Sequence, residues 1–357
     1  GGPWSGWDFT ALALIGGAYA SAAFGAFWPD KGLGAANDVL IYGLVFLAVR
    51  RSRFEEKFLW RLFAVAIMAT LLTLLYGYWG LLVTKKRVFL GLNSVGHVNH
   101  SAIYMAIIFS MALAWAGAAI GSLRQRTLLW VAVAMLWLSL FVSGARGALI
   151  PVVVFVLLWL FARAGMMRRA LWKPVLLVVL MLGGAVALVP GVVEKTKFNF
   201  ETKQVASYRP ALAKVALLAV REYPTFGVGI SNFAKIDPEV VAGWQVKSGQ
   251  VFDPQDLYFS THAHSLYFNT LAERGLVGLL TVLAFLVGIG LALLRLRPSG
   301  ASTPLQQTLW GATLGAWVIT AVGGVFNTTL HHEHALIAMV VFGIWLAQTR
   351  TRFAASG

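Results

Sequence analysis

Apolar runs separated by short polar or basic junctions fill most of the chain. They fall near residues 9–28, 36–50, 61–83, 101–121, 127–143, 147–162, 174–190, 275–294, 306–326 and 334–349. Most approach the roughly 17 to 25 residues that carry an α-helix across a hydrocarbon core about 30 Å thick. The pattern predicts an all-α polytopic membrane protein with ten spans. One junction is unlike the rest. About 84 residues separate Pro190 from Gly275, whereas packed helices are usually joined by about 2 to 8. The expected division is therefore N-terminal spans over 1–190, a helical loop over 191–274 and C-terminal spans over 275–357.

Two helices are expected in that loop. The first runs from Arg209 to Tyr223, with Ser207 as N-cap, Pro210 in the first turn and Pro224 as the stop. Leu212, Val215, Ala216, Ala219 and Val220 share one face, which predicts a helix lying along the membrane surface. The second starts near Ala263 and runs to Arg274. Joined to the next span it would be about 32 residues, or roughly 48 Å, too long for the hydrocarbon. Its first three turns must stand outside, with a break at Gly275. On a helix starting near His264, that residue would share a face with Tyr267, Phe268 and Leu271.

Composition agrees with a membrane chain. Hydrophobic residues make up 59% and charged ones 12%, against about 25% charged in soluble domains. This excludes a soluble cytosolic enzyme, a secreted disulfide scaffold and a disordered tail. With no cysteine, disulfides, thiolate metal sites and a cysteine nucleophile are excluded too. The net charge of +15 would suggest nucleic acid in a soluble protein. Here anionic lipid headgroups and an anionic substrate compete for it, and no nucleic-acid partner is expected. Arg50, Arg51 and Arg53, Arg124 and Arg126, Arg163, Arg168, Arg169 and Lys173, Arg295 and Arg297, and Arg350 and Arg352 fall at alternate ends of the spans. The positive-inside rule makes those ends, and both termini, cytoplasmic, so the long loop faces outward. No signal-peptide cleavage pattern precedes the first run, which should stay in the mature protein.

Candidate chemistry lies on the outward side. His264, at the expected helix start, would be held neutral by the positive end of the dipole, which suits a general base; the alternative is a polar interfacial residue. Arg146, flanked by Gly144 and Gly147 in VSGARGAL, and Arg209, at the start of the loop helix, are candidate anion sites. Snorkelling and plain solvation are their structural alternatives. Lys85, Lys86 and Arg87 form a basic triplet on the side that should lack one, which suggests phosphorylated headgroups. His97 with His100, His262 with His264, and HHEH at 331–334 invite a metal reading, but none has a firm ligand spacing and HExxH is absent. No nucleotide loop or GxSxG elbow is present. Asp253 and Asp256, separated by a proline, read as turn and capping residues.

These motifs resemble the bacterial O-antigen ligase family, within the wider group of O-antigen polymerases and pilin oligosaccharyltransferases. The family pattern of His, then Asn, Ser or Gln, nine residues and GxxG reads here as His264, Ser265, Leu266 to Arg274, Gly275 and Gly278. The family's following Thr-Thr is Leu279-Leu280 in this chain. SGARGALI at 143–150, YRPALAKVALLAVREYPTFGVGISNF at 208–233 and GHVNHSAIYM at 96–105, with Asn99 and His100, are also similar to the group. The resemblance implies a GT-C-like glycosyltransferase of about twelve spans in the bacterial inner membrane, with its active site facing the periplasm. Its donor would be undecaprenyl-diphosphate-linked O-antigen and its acceptor the lipid A core oligosaccharide, in lipopolysaccharide assembly.

In that reading His264 is the base, and Arg146 and Arg209 hold the diphosphate. Lys85, Lys86 and Arg87 meet acceptor phosphates, while Asn99, His100 and His262 are further substrate-binding candidates. Inversion at the anomeric carbon is expected, with no cofactor and no metal ion. An O-antigen polymerase is the nearest alternative, and a transporter of lipid-linked glycans is the alternative from another class.

Overall fold

The computed structural model describes residues 4–27, 32–85, 90–92, 97–118, 120–167, 208–249 and 260–355. The expected span at 174–190, the Ser207 cap, Lys86, Arg87, Asp253 and Asp256 lie outside them. The described chain is all-helical. Its helices are α1 Gly6–Phe24, α2 Gly32–Arg51, α3 Glu56–Tyr78 with a π-helical turn Trp79–Val83, α4 Val98–Gly117, α5 Leu123–Val142 and α6 Arg146–Met167. They continue as α7 Tyr208–Glu222, α8 Pro238–Lys247, α9 Leu266–Arg295, α10 Pro304–Ala321 and α11 His332–Ala355. Among the described residues, seven helices are long and apolar enough to cross a membrane: α2, α3, α4, α5, α6, α9 and α10. α1 packs with them against α2 and α9, and α11 against α2, α4 and α10.

Two helices form the centre. α4 and α10 pack on each other and are buried nearly all round. Small residues permit the contact: a Cβ at Gly315 would stand 2.1 Å from Cβ of Ser110, and one at Gly311 would stand 2.9 Å from Cβ of Ala114. Between helices in lipid, where burial gives little drive, such close backbone approach supplies the dispersion contacts that hold a pair together. The periphery shows the converse. Val65, Met68, Leu72 and Leu75 are exposed on α3 at i, i+3, i+7 and i+10, a stripe that suits lipid rather than water. Far from the loop face, Arg50 at the end of α2 forms a buried ion pair with Asp8 at the start of α1.

The loop residues build a layer of their own. α7, α8 and the first turns of α9 enclose a second core that includes Leu212, Val215, Ala216, Ala219, Phe233, Trp244 and Ala272. This corrects the expected placement of the 209–223 helix on the membrane surface. Its apolar face is covered by protein, chiefly α9, because the residues after α7 fold back over it. α8, capped by Asp237, whose side chain accepts from the Val240 N–H (2.9 Å), is an element the hydrophobic pattern did not predict.

The break at Gly275 is present, at φ 60° and ψ −160° inside α9. A side chain there would collide with the Thr225 carbonyl, since a Cβ would lie 2.4 Å away. The segment after α7 fills the gap with hydrogen bonds: Leu276 N–H donates to Pro224 O (2.8 Å), Val228 N–H to Ala272 O (2.9 Å) and Gly229 N–H to Glu273 O (3.0 Å). Backbone groups released by the kink are thus satisfied by the segment from Pro224 to Gly229, as buried backbone requires. Glu273 secures the same loop, accepting from the Phe233 N–H (3.1 Å) and the Asn269 amide (3.0 Å).

Candidate active site

The positions before α9 are fixed from several sides. Ser265 is the N-cap, and its hydroxyl donates to Gly324 O (3.1 Å) while Leu266 N–H donates to Asn327 O (3.0 Å). Asn269 accepts from the Ala263 N–H (2.9 Å), and the Tyr267 hydroxyl donates to Ala321 O (2.6 Å). His264 is therefore clamped between α9 and the 323–330 turn, at a left-handed φ of 49°. It precedes the helix instead of standing on it, so it does not share a face with Tyr267 and Leu271 as the periodicity implied. The capping serine at 265 displaced the start by two residues.

The surroundings of His264 favour the neutral imidazole. Burial, then the His262 ring at 4.2 Å, then the charge of Arg209 and His97 lower its pKa from the ordinary 6.5 to about 4. Each disfavours imidazolium, the first by desolvation and the others by like charge. His262 is shifted in the same direction, mainly by burial. Its Nδ1 lies 2.9 Å from the Thr261 hydroxyl.

Arg209 comes to the same place from α7. Its guanidinium lies over the Phe326 ring at 5.6 Å and against the start of α6. A Cβ on Gly147 would stand 2.7 Å from the Asn327 amide nitrogen and 3.6 Å from the Arg209 guanidinium, so glycine leaves the room in which α6, Arg209 and the 326–327 turn meet. Arg146 is the first residue of α6, which sets its backbone next to Arg209. Gly144, at φ 68°, turns the chain from α5 into α6.

A cavity of about 350 Å³ adjoins these residues, with His100, His262, Asn269, Arg274, His331 and His332 in its wall. All seven histidines of the chain converge here from three segments. His97 lies 6.5 Å from His100, centroid to centroid, and His100 lies 6.0, 4.8 and 5.2 Å from His331, His332 and His334. His262 and His264 join through the 261–265 segment. Asn99 lies one residue from His100 at the start of α4, and its N–H donates to the His97 ring (3.3 Å). Lys85 lies two residues past the π-helical turn, exposed and at φ 52°, and is not part of the cavity wall.

Comparison with protein-family models adds a match over residues 130–283 to the model described as O-antigen ligase. The matched segment spans Arg146, Arg209, His262, His264 and Gly275. That match supports the O-antigen ligase family for this stretch of the chain. A comparison with curated proteins found no match. The O-antigen ligase family supports glycosyl transfer of the ligase or polymerase type in general, in a membrane setting.

Sequence reasoning missed the 323–334 turn, which supplies Asn327, Phe326, His331 and His332. HHEH was noted, but its own spacing gives no sign of a partner. The available signal was that every histidine lies near the outward end of an expected span.

Proposed function

We propose that the chain is an O-antigen ligase, an inverting glycosyltransferase acting on the periplasmic side of the bacterial inner membrane. The donor is an undecaprenyl-diphosphate-linked polysaccharide and the acceptor the lipid A core oligosaccharide. The observation that carries this is the neutral imidazole of His264 held beside the guanidinium of Arg209, in the family-matched segment. An acceptor hydroxyl gives its proton to His264 while its oxygen attacks the anomeric carbon. The bond from that carbon to the diphosphate breaks, and the lipid diphosphate leaves with the electron pair. Arg209 and Arg146 stabilise the growing negative charge by charge-assisted hydrogen bonds. Asn99, His100 and His262 offer hydrogen bonds to sugar hydroxyls, and Lys85, Lys86 and Arg87 a basic approach for acceptor phosphates. Two guanidinium groups supply the charge that a divalent ion supplies in other glycosyltransferases, so no metal is required for transfer.

Deletion in a cell that makes the polymer separates ligase from polymerase. A ligase leaves full-length polymer on its carrier lipid and bare core. Single repeats attached to the core would instead assign polymerisation.

A further inference from the structure

The histidine cluster exceeds what the transfer reaction uses. His331 and His332 have no part in the proposed chemistry, yet they face His100 across the start of α4. One ring nitrogen from each of His100, His331 and His332 can be chosen so that all three lie within 4.8 Å of one another. Nδ1 of His100 is buried without a hydrogen-bond partner among the described residues. His332 is held at a left-handed φ of 51°, which turns two successive imidazoles toward one cavity.

We infer that His100, His331 and His332 form a site for a divalent transition-metal ion of the zinc class, on the wall of the cavity beside His264. Imidazole suits zinc, cobalt and nickel and is a poor partner for magnesium or calcium. Zinc bonds imidazole nitrogen at about 2.0–2.1 Å, so ligand atoms sit about 3.3 Å apart around a tetrahedral ion. The contraction from 4.8 Å is within the reach of side-chain rotation, because His331 and His332 are exposed. Three protein ligands leave a fourth position open to the cavity. Asp38 lines the same cavity and Glu333 follows His332, which favours a cation there. Arg274 lines it too, which favours an anionic or water ligand in the open position over a second cation. The spacing within each histidine segment gave no hint of this, since the ligands come from residues 100 and 331–332.

The test uses full-length protein free of affinity-tag histidines, stripped with a chelator in detergent and titrated with Co²⁺. One equivalent should bind with visible d–d bands of a tetrahedral nitrogen site, and Zn²⁺ should displace it. Zn²⁺ should also raise the melting temperature, as a ligand of the native state does. His331→Ala with His332→Ala, and separately His331→Gln with His332→Gln, should weaken binding by about 100-fold or more, while His264→Ala retains it. The glutamine pair guards against simple loss of packing, read from an unchanged melt of the metal-free protein. Absence of the Co²⁺ bands at one equivalent, equal binding by the double variants, or equal loss in His264→Ala would each overturn the assignment.

Discussion

At the scale of single residues, the proposed mechanism depends on holding one imidazole neutral within the field of Arg209. His264 has its pKa at about 4, so in the free protein the base form is present above that pH and is lost as pH falls through it. Burial shifts it most, followed by His262, Arg209 and His97, and all of them oppose protonation. A bound diphosphate adds negative charge beside the ring and reverses part of the shift. The acid limb of kcat/KM should therefore lie near pH 4, with that of kcat higher. Coincident limbs near 6.5, the ordinary imidazole value, would mean that the surroundings of His264 do not shift it. Arg209→Lys and Arg146→Lys should each fail to restore full transfer, since lysine offers a point charge without the planar fork that matches phosphate. Transfer at wild-type rates by either variant would reduce that position to a local charge. His264, Arg146 and Arg209 could be proposed from the sequence because motif and position coincide. Arg274 and His331 were not, since their roles depend on which helices become neighbours.

At the scale of elements, two glycine motifs turn out to be one construction. GxxG at Gly275–Gly278 kinks α9, and the loop containing Gly227 and Gly229 fits into the kink and satisfies its backbone. Gly275→Ala puts a Cβ 2.4 Å from the Thr225 carbonyl at a backbone geometry that nearly demands glycine. A loss of stability of more than about 1–3 kcal/mol is expected, read as a lower melting temperature in detergent and faster proteolysis within 208–249. An unchanged melt would show that the kink adapts. The hydrophobic pattern revealed the kink and α7, because both follow from local periodicity and a long apolar run. It misplaced α7 on the membrane because an amphipathic helix fits a lipid surface and a protein core equally well. Only the fold-back of residues 224–249 decides between them.

At the scale of the whole molecule, a bundle of membrane-spanning helices centred on α4 and α10 carries a small layer built from α7, α8 and the start of α9. Three segments far apart in sequence meet between the two. The bundle was readable from composition and run length, whereas the convergence was not, since it arises from the packing of α4, α9, α10 and α11. The central claim is that His264 and its arginines perform glycosyl transfer without a divalent ion at the diphosphate. The most direct measurement is transfer by purified protein from lipid-linked polymer to lipid A core, in EDTA throughout, for wild type and His264→Asn. Asparagine tolerates the left-handed backbone at this position while removing the base. Wild type should transfer in EDTA, and a well-folded His264→Asn should be slower by about 10²- to 10⁴-fold. Wild-type rates in the variant, or a wild type that is silent until Mg²⁺ or Mn²⁺ is added, would contradict the account.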